Sequence, residues 1–121
     1  MARILVIEDE ANIRSNLLRF VRLEGHEALE ASDGDTGLQV AKEHLPDLIF
    51  CDVMMPRMNG MEVLAALQAE PSLKQVPLIF LSASAESERL EEALRLGASG
   101  YVTKPFNFAQ LQAVLKQYLP K

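Results

Sequence analysis

Five polar side chains stand where an apolar run stops without warning. Ile4 to Ile7 gives way to Glu8 and Asp9, Leu48 to Cys51 to Asp52, Val76 to Leu81 to Ser82, and the shorter Gly100 to Thr103 to Lys104. Short uninterrupted apolar runs mark strands buried on both faces of a parallel sheet. Their carboxyl ends are where open α/β sheets place ligands. Three carboxylates brought together there would repel one another, and at least one would be driven towards its neutral form. A hard divalent cation such as Mg²⁺ removes that conflict, because it takes oxygen ligands and keeps waters that acidic neighbours can hold. A hydroxyl and an ammonium facing a metal-bound carboxylate suit an anion, and a phosphoryl group fits best. Its transfer is mostly positioning and charge neutralisation. An aspartate can itself be the nucleophile, and Asp52, ending the most central run, is the candidate.

Taken singly, each residue has an ordinary explanation. An aspartate after a strand commonly caps a helix or makes a turn, the same holds for Ser82, and a lone lysine is usually solvated. Joint placement at the ends of four strands outweighs those explanations. His26 and His44 have no second ligand at metal spacing and read as surface residues. The single cysteine, Cys51, rules out an internal disulfide and a cysteine-based zinc cluster, and reads as a small core residue.

The elements that must hold these groups follow in strict alternation. After the first strand, Ile13, Leu17, Phe20 and Val21 recur at helical spacing up to Gly25. Glu27 to Ala31 is a short, more polar strand, and Leu38, Ala41 and Leu45 stripe a helix closed by Pro46. Beyond Asp52, Pro56 and Asn59-Gly60 are turn chemistry. Val63, Leu64 and Leu67 carry a third helix as far as Pro71, and Leu90, Ala93 and Leu94 a fourth, closed by Gly97. Leu111, Val114, Leu115 and Tyr118 stripe a fifth, for which Asn107 and Gln110 make a capping pair. Five strands alternating with five helices predict an α/β fold, a doubly wound five-stranded parallel sheet with helices on two faces. The most apolar strands belong in the centre, and with right-handed crossovers this gives the order 2-1-3-4-5. The crevice between the first and third strands is then flanked by Glu8 and Asp9 on one side and Asp52 on the other.

The chain of 121 residues suits one domain, 1–121, and its net charge of −5, without a basic run, argues against direct nucleic-acid binding by this segment. Its apolar stretches are too short to span a bilayer and no signal peptide is evident, so a cytoplasmic location is expected.

With these features in order, Ile4 to Glu10, Pro46-Asp47-Leu48 through Asp52 to Met55-Pro56, Asn59-Gly60, Ser82-Ala83, Gly97-Ala98 and Lys104-Pro105-Phe106, the chain resembles the receiver domain of two-component response regulators over essentially its whole length. The resemblance implies a flavodoxin-like fold and a regulatory phosphoacceptor rather than an enzyme acting on other substrates. Asp52 would accept a phosphoryl group from a sensor histidine kinase or phosphotransfer protein. Asp9 and Asp52 would bind Mg²⁺, with Glu8 acting mainly through water and the Met54 carbonyl as a further ligand. Lys104 would pair with the phosphoryl oxygens, and its bond to Pro105 is a candidate for the cis form. Ser82 would hydrogen-bond the phosphoryl group while Tyr101 swings inward, remodelling the surface of the fourth helix, fifth strand and fifth helix for an output domain or target protein.

Some positions depart from the commonest pattern. Glu8 replaces aspartate, and Ser82 stands where threonine is frequent. Met54 and Ser84, which flank the phosphoryl group, are neither acidic nor amide, so a comparatively long-lived phosphoryl state is expected. Ser99-Gly100 and Gln110 to Gln112 lack the charges that many DNA-binding members use to dimerise. Two other functions compete. A Mg²⁺-dependent phosphohydrolase with an aspartyl intermediate would carry a second Asp two residues after its nucleophile on the first strand, where Ala11 stands. A receiver-like interaction module that is never phosphorylated would not need the acidic pair, Asp52 and Lys104 together. A nucleotide-binding protein is disfavoured by the absence of a Gly-rich phosphate loop.

Overall fold

The computed structural model describes residues 1–83 and 87–119. Strands and helices alternate: β1 (Arg3–Ile7), α1 (Ala11–Leu23), β2 (Glu27–Ala31), α2 (Gly34–His44), β3 (Leu48–Asp52), α3 (Gly60–Gln68), β4 (Leu78–Ala83), α4 (Ser87–Arg95), β5 (Gly100–Lys104) and α5 (Phe108–Tyr118). All strand pairs are parallel, in the order β2-β1-β3-β4-β5.

Side chains alternate across each strand, so every central strand feeds two cores. Leu5, Ile7, Ile49, Cys51 and Phe80 pack with Ala41 of α2, Val63, Leu64 and Leu67 of α3, and Leu90 and Ala93 of α4. Ile4, Val6, Leu48, Phe50, Ile79 and Leu81 pack with Leu17, Phe20 and Val21 of α1 and Leu111 and Leu115 of α5. The three central strands are therefore apolar on both sides, which is why they read as continuous runs.

Local chemistry sets the helix ends. Asp33 caps α2 through a bond from the Thr36 N–H, and Leu45 ends the helix in a left-handed cap at φ 47° before Pro46. Asn107 and Gln110 form the expected capping box on α5, and Asn59 and Glu62 form a second on α3. Three boundaries differ from expectation. β4 begins at Leu78 rather than Val76, because the Val76 N–H closes a turn onto the Leu73 carbonyl and Pro77 has no N–H to give. It also runs on to Ala83, so Ser82 lies inside the strand, paired with Thr103, and Ala83 pairs with Lys104. α3 stops at Gln68, and tight turns carry the chain through Pro71. His26 is not a plain surface residue: half-buried, its Nδ1 accepts from the Ala2 N–H at 3.0 Å.

Candidate functional site

The register of β1 against β3 aligns Ile7 with Cys51, so the next residues, Glu8 just past β1 and Asp52 at the end of β3, stand side by side. Chain order requires this. β1 and β3 are neighbours whose following helices, α1 and α3, go to opposite faces, and the two loops part to leave a crevice. The floor beneath Asp52 is fixed by Gly60, whose N–H bonds the Val53 carbonyl at 2.8 Å. A Cβ at Gly60 would collide with the Asp52 carbonyl oxygen and come within 2.7 Å of the Phe80 ring, so only glycine lets α3 start this close to β3.

Four of the five residues singled out converge. Glu8, Asp9 and Asp52 each offer a carboxylate oxygen, and the three lie within 4.8 Å of one another. Lys104, from the end of β5, places its Nζ 3.0 Å from Glu8 Oε1 and 3.4 Å from Asp52 Oδ2. The ammonium thus sits nearer Glu8 than Asp52. Glu8 is fully buried, Asp52 is 6% exposed, and Asp9 is exposed. Glu8 Oε2 accepts the Glu10 N–H at 3.1 Å, and Asp52 Oδ1 accepts the Met54 N–H at 3.3 Å. Among the described residues Glu8 Oε1 is buried with no hydrogen bond, compensated by its ion pair with Lys104.

One ammonium does not balance three carboxylates. Burial pushes the Asp52 carboxyl up from 3.8 to about 7, Glu8 beside it adds to the rise, and Lys104 pulls against both. Burial works against the Lys104 ammonium too, yet Glu8 and Asp52 hold its pKa above the ordinary lysine value. A buried oxygen without a hydrogen bond, a carboxyl forced towards neutrality and an all-oxygen donor set together fit a hard divalent cation. Zinc chemistry does not suit this set, since no imidazole or thiolate belongs to the cluster.

The remaining residues are placed differently. Ser82 is fully buried one residue past the Asp52-paired Leu81, its Oγ donating to the Ala83 carbonyl at 2.9 Å. Tyr101, opposite Phe80 on the edge strand β5, is 46% exposed. The Lys104–Pro105 bond is cis. Ser84 lies outside the described residues. Met54 is exposed, whereas Met55 is buried and Met58 and Met61 pack against the same core, so three of these four methionines serve loop packing. Cys51 is buried, as expected, and burial pushes its thiol pKa up. Arg14 was not indicated by any motif. Its Nη1 donates to the Glu8 carbonyl at 2.8 Å and its Nε meets Glu30 Oε1 at 3.3 Å.

A doubly wound sheet carrying an acid-and-lysine pocket at its topological switch point defines an α/β domain of the flavodoxin-like class. Residues 4–116 match the family model described as the response regulator receiver domain, and the chain belongs to that family. It is 35% identical over 122 residues to the phosphate regulon transcriptional regulatory protein PhoB of Klebsiella pneumoniae, covering 98% of this chain and 53% of that protein. It is 36% identical over 110 residues to the transcriptional regulatory protein PdtaR of Mycobacterium tuberculosis, covering 90% and 52%. The chain thus spans about half the length of the curated relatives it matches. Among solved structures, the chemotaxis protein CheY4 of Vibrio cholerae superposes with a TM-score of 0.92 at 32% identity, covering 98% of this chain and 99% of that one. A response regulator from Chloroflexus aurantiacus gives 0.93 at 27% identity, covering 99% and 98%. The chain is a receiver domain of two-component signal transduction, in which its part is regulatory. No helix among the described residues is long and apolar enough to cross a membrane.

Proposed function

We propose that residues 1–121 act as one phosphoacceptor domain in which Asp52 takes a phosphoryl group from a histidine kinase or phosphotransfer protein. The observation that carries this reading is the convergence of Glu8, Asp9 and Asp52 within 4.8 Å under the Lys104 ammonium. Asp52 is nearly buried and held through Oδ1 by the Met54 N–H, which limits the directions its carboxylate can face. Transfer forms a bond between an Asp52 carboxylate oxygen and phosphorus as the phosphorus–nitrogen bond of the donor phosphohistidine breaks. Lys104 then exchanges its carboxylate partners for phosphoryl oxygens, a short move for a side chain already beside Asp52. Glu8, Asp9, Asp52 and the Met54 carbonyl are the groups that would hold Mg²⁺. A divalent cation held by these groups would supply positive charge against the carboxylates and the charge developing on the phosphoryl oxygens. A cleft beside Lys104, lined by Ile13, Asn16, Pro105 and Phe106, adjoins the acid cluster.

A new dianion on Asp52 supplies the differential interaction that a two-state surface requires. Ser82, buried at the end of β4, and Tyr101, half-exposed on β5, are the residues proposed to relay it to the α4-β5-α5 surface. An output domain or target protein would read that surface. With Met54 beside Asp52, no acidic or amide side chain at that position aligns an attacking water, and the adduct should outlast seconds.

The test is incubation with acetyl phosphate and Mg²⁺. Expected is a base-labile adduct on the wild type that mass spectrometry maps to Asp52, and none on Asp52→Asn. An unlabelled wild type would favour the receiver-like module that is never phosphorylated, and turnover of a generic phosphomonoester would favour a phosphohydrolase.

A further inference from the structure

Arg14 occupies a position that helix energetics disfavours. It is the fourth residue of α1, beside the positive end of the helix dipole, where a cation is unfavourable. Glu8, Asp9 and Glu10 precede the helix, but Glu10 makes no side-chain cap and the first turn itself contains no acidic residue to pair with Arg14. Nor is Arg14 a solvated surface charge, since its side chain is only 20% exposed. A charge placed against local preference and half-buried marks a residue retained for something beyond the helix.

What it holds is the segment carrying two of the clustered acids. The guanidinium fork spans two elements, Nη1 to the main-chain carbonyl of Glu8 at 2.8 Å and Nε to Glu30 Oε1 on β2 at 3.3 Å. From the other side, the Glu8 N–H bonds the Ala31 carbonyl at 3.1 Å. Glu8 is thereby fixed through its N–H by β2 and through its carbonyl by α1, just where the chain leaves the sheet towards Asp9. Arg14 does this through a main-chain oxygen, so it occupies none of the carboxylate oxygens of the cluster.

We propose that Arg14 is a positioning residue of the acid pocket, holding Glu8 and Asp9 in the arrangement a divalent cation needs. This rests on the reading of the cluster as a cation site. Two simpler roles lead to opposite results. If Arg14 acted only through its charge, removing it would tighten cation binding, because a positive neighbour repels a cation. If it served stability alone, its loss would lower the melting temperature and leave affinity unchanged well below that temperature. A positioning role means weaker binding, typically by tenfold or more when a group that orients metal ligands is lost.

The experiment follows backbone amide shifts by NMR in the full chain as MgCl₂ is added, at a temperature where each variant is folded. Expected is saturable movement at Glu8, Asp9 and Asp52 in the wild type, and affinity about tenfold lower in Arg14→Met, which keeps the stem and loses both donors. Arg14→Lys, which keeps the charge without the fork, should fall between them. Should the methionine variant not fold, the lysine variant decides, with unchanged affinity overturning the role of Arg14. Equal or tighter binding by Arg14→Met likewise overturns it, while leaving the cation site intact. A wild type that does not respond to MgCl₂ removes both.

Discussion

The two rims of the sheet are built from the same kinds of residue and balanced in opposite ways. At the amino rim, Arg3 faces Glu27 at 3.6 Å, donates to the His44 carbonyl at 2.9 Å, and offers its N–H to Asp47 at 2.8 Å. The Arg3 and Glu27 side chains are about half-exposed, each charge has a partner, and water does much of the solvation. At the carboxyl rim, three carboxylates share one ammonium and two of the three are buried. Exposed pairs contribute little either way, whereas a buried imbalance costs stability until something completes it. The difference separates a rim whose charges are balanced within the fold from a rim whose carboxylates outnumber the ammonium beside them.

Removing Lys104 should break the contrast most severely. Lys104→Met leaves Glu8 Oε1 buried with neither hydrogen bond nor ion pair, and losing one partner of a buried pair typically costs about 3 kcal/mol or more. With the lysine side chain still 23% exposed, we expect a loss of about 2 kcal/mol in urea unfolding, partly recovered by MgCl₂. At the opposite rim, Arg3→Ala should cost no more than about 1 kcal/mol and leave both Mg²⁺ response and phosphoryl labelling unchanged. A larger loss at Arg3 than at Lys104 would erase the distinction between the rims.

Much of this organisation was legible before any coordinates. Apolarity ranks β1, β3 and β4 above β2 and β5, and the sheet follows that rank because strands apolar on both faces have nowhere to go but the centre. The α5 capping box was equally readable, since Asn107 and Gln110 act within a single turn. Residues that act across elements were harder. Arg14 has no motif, and its only trace in the sequence is a cation where a helix begins. Arg57 takes a left-handed φ of 66° and lies 3.8 Å from Asp33, a conformation usually left to glycine or asparagine. The start of β4 was misplaced because Val76 is apolar enough for a strand while its N–H is committed to a turn. That Lys104 sits closer to Glu8 than to Asp52 depends on side-chain placement, to which strand-end position is blind.

If the carboxyl rim is electrostatically incomplete without a divalent cation, as proposed, its stability must answer to pH. Asp52 titrates near 7 in the folded chain against an ordinary value of 3.8. Between those values the folded state keeps a proton that the unfolded chain has released, so stability at this position falls as pH rises through the window. Lys104, raised above its ordinary value, keeps its stabilising charge throughout that range. The measurement is the melting temperature of the wild type minus that of Asp52→Asn, from acid to slightly alkaline pH, with and without MgCl₂. Expected is a difference that turns steadily against the wild type as pH rises in metal-free buffer and is reversed by MgCl₂. A difference that neither pH nor MgCl₂ moves would contradict the claim.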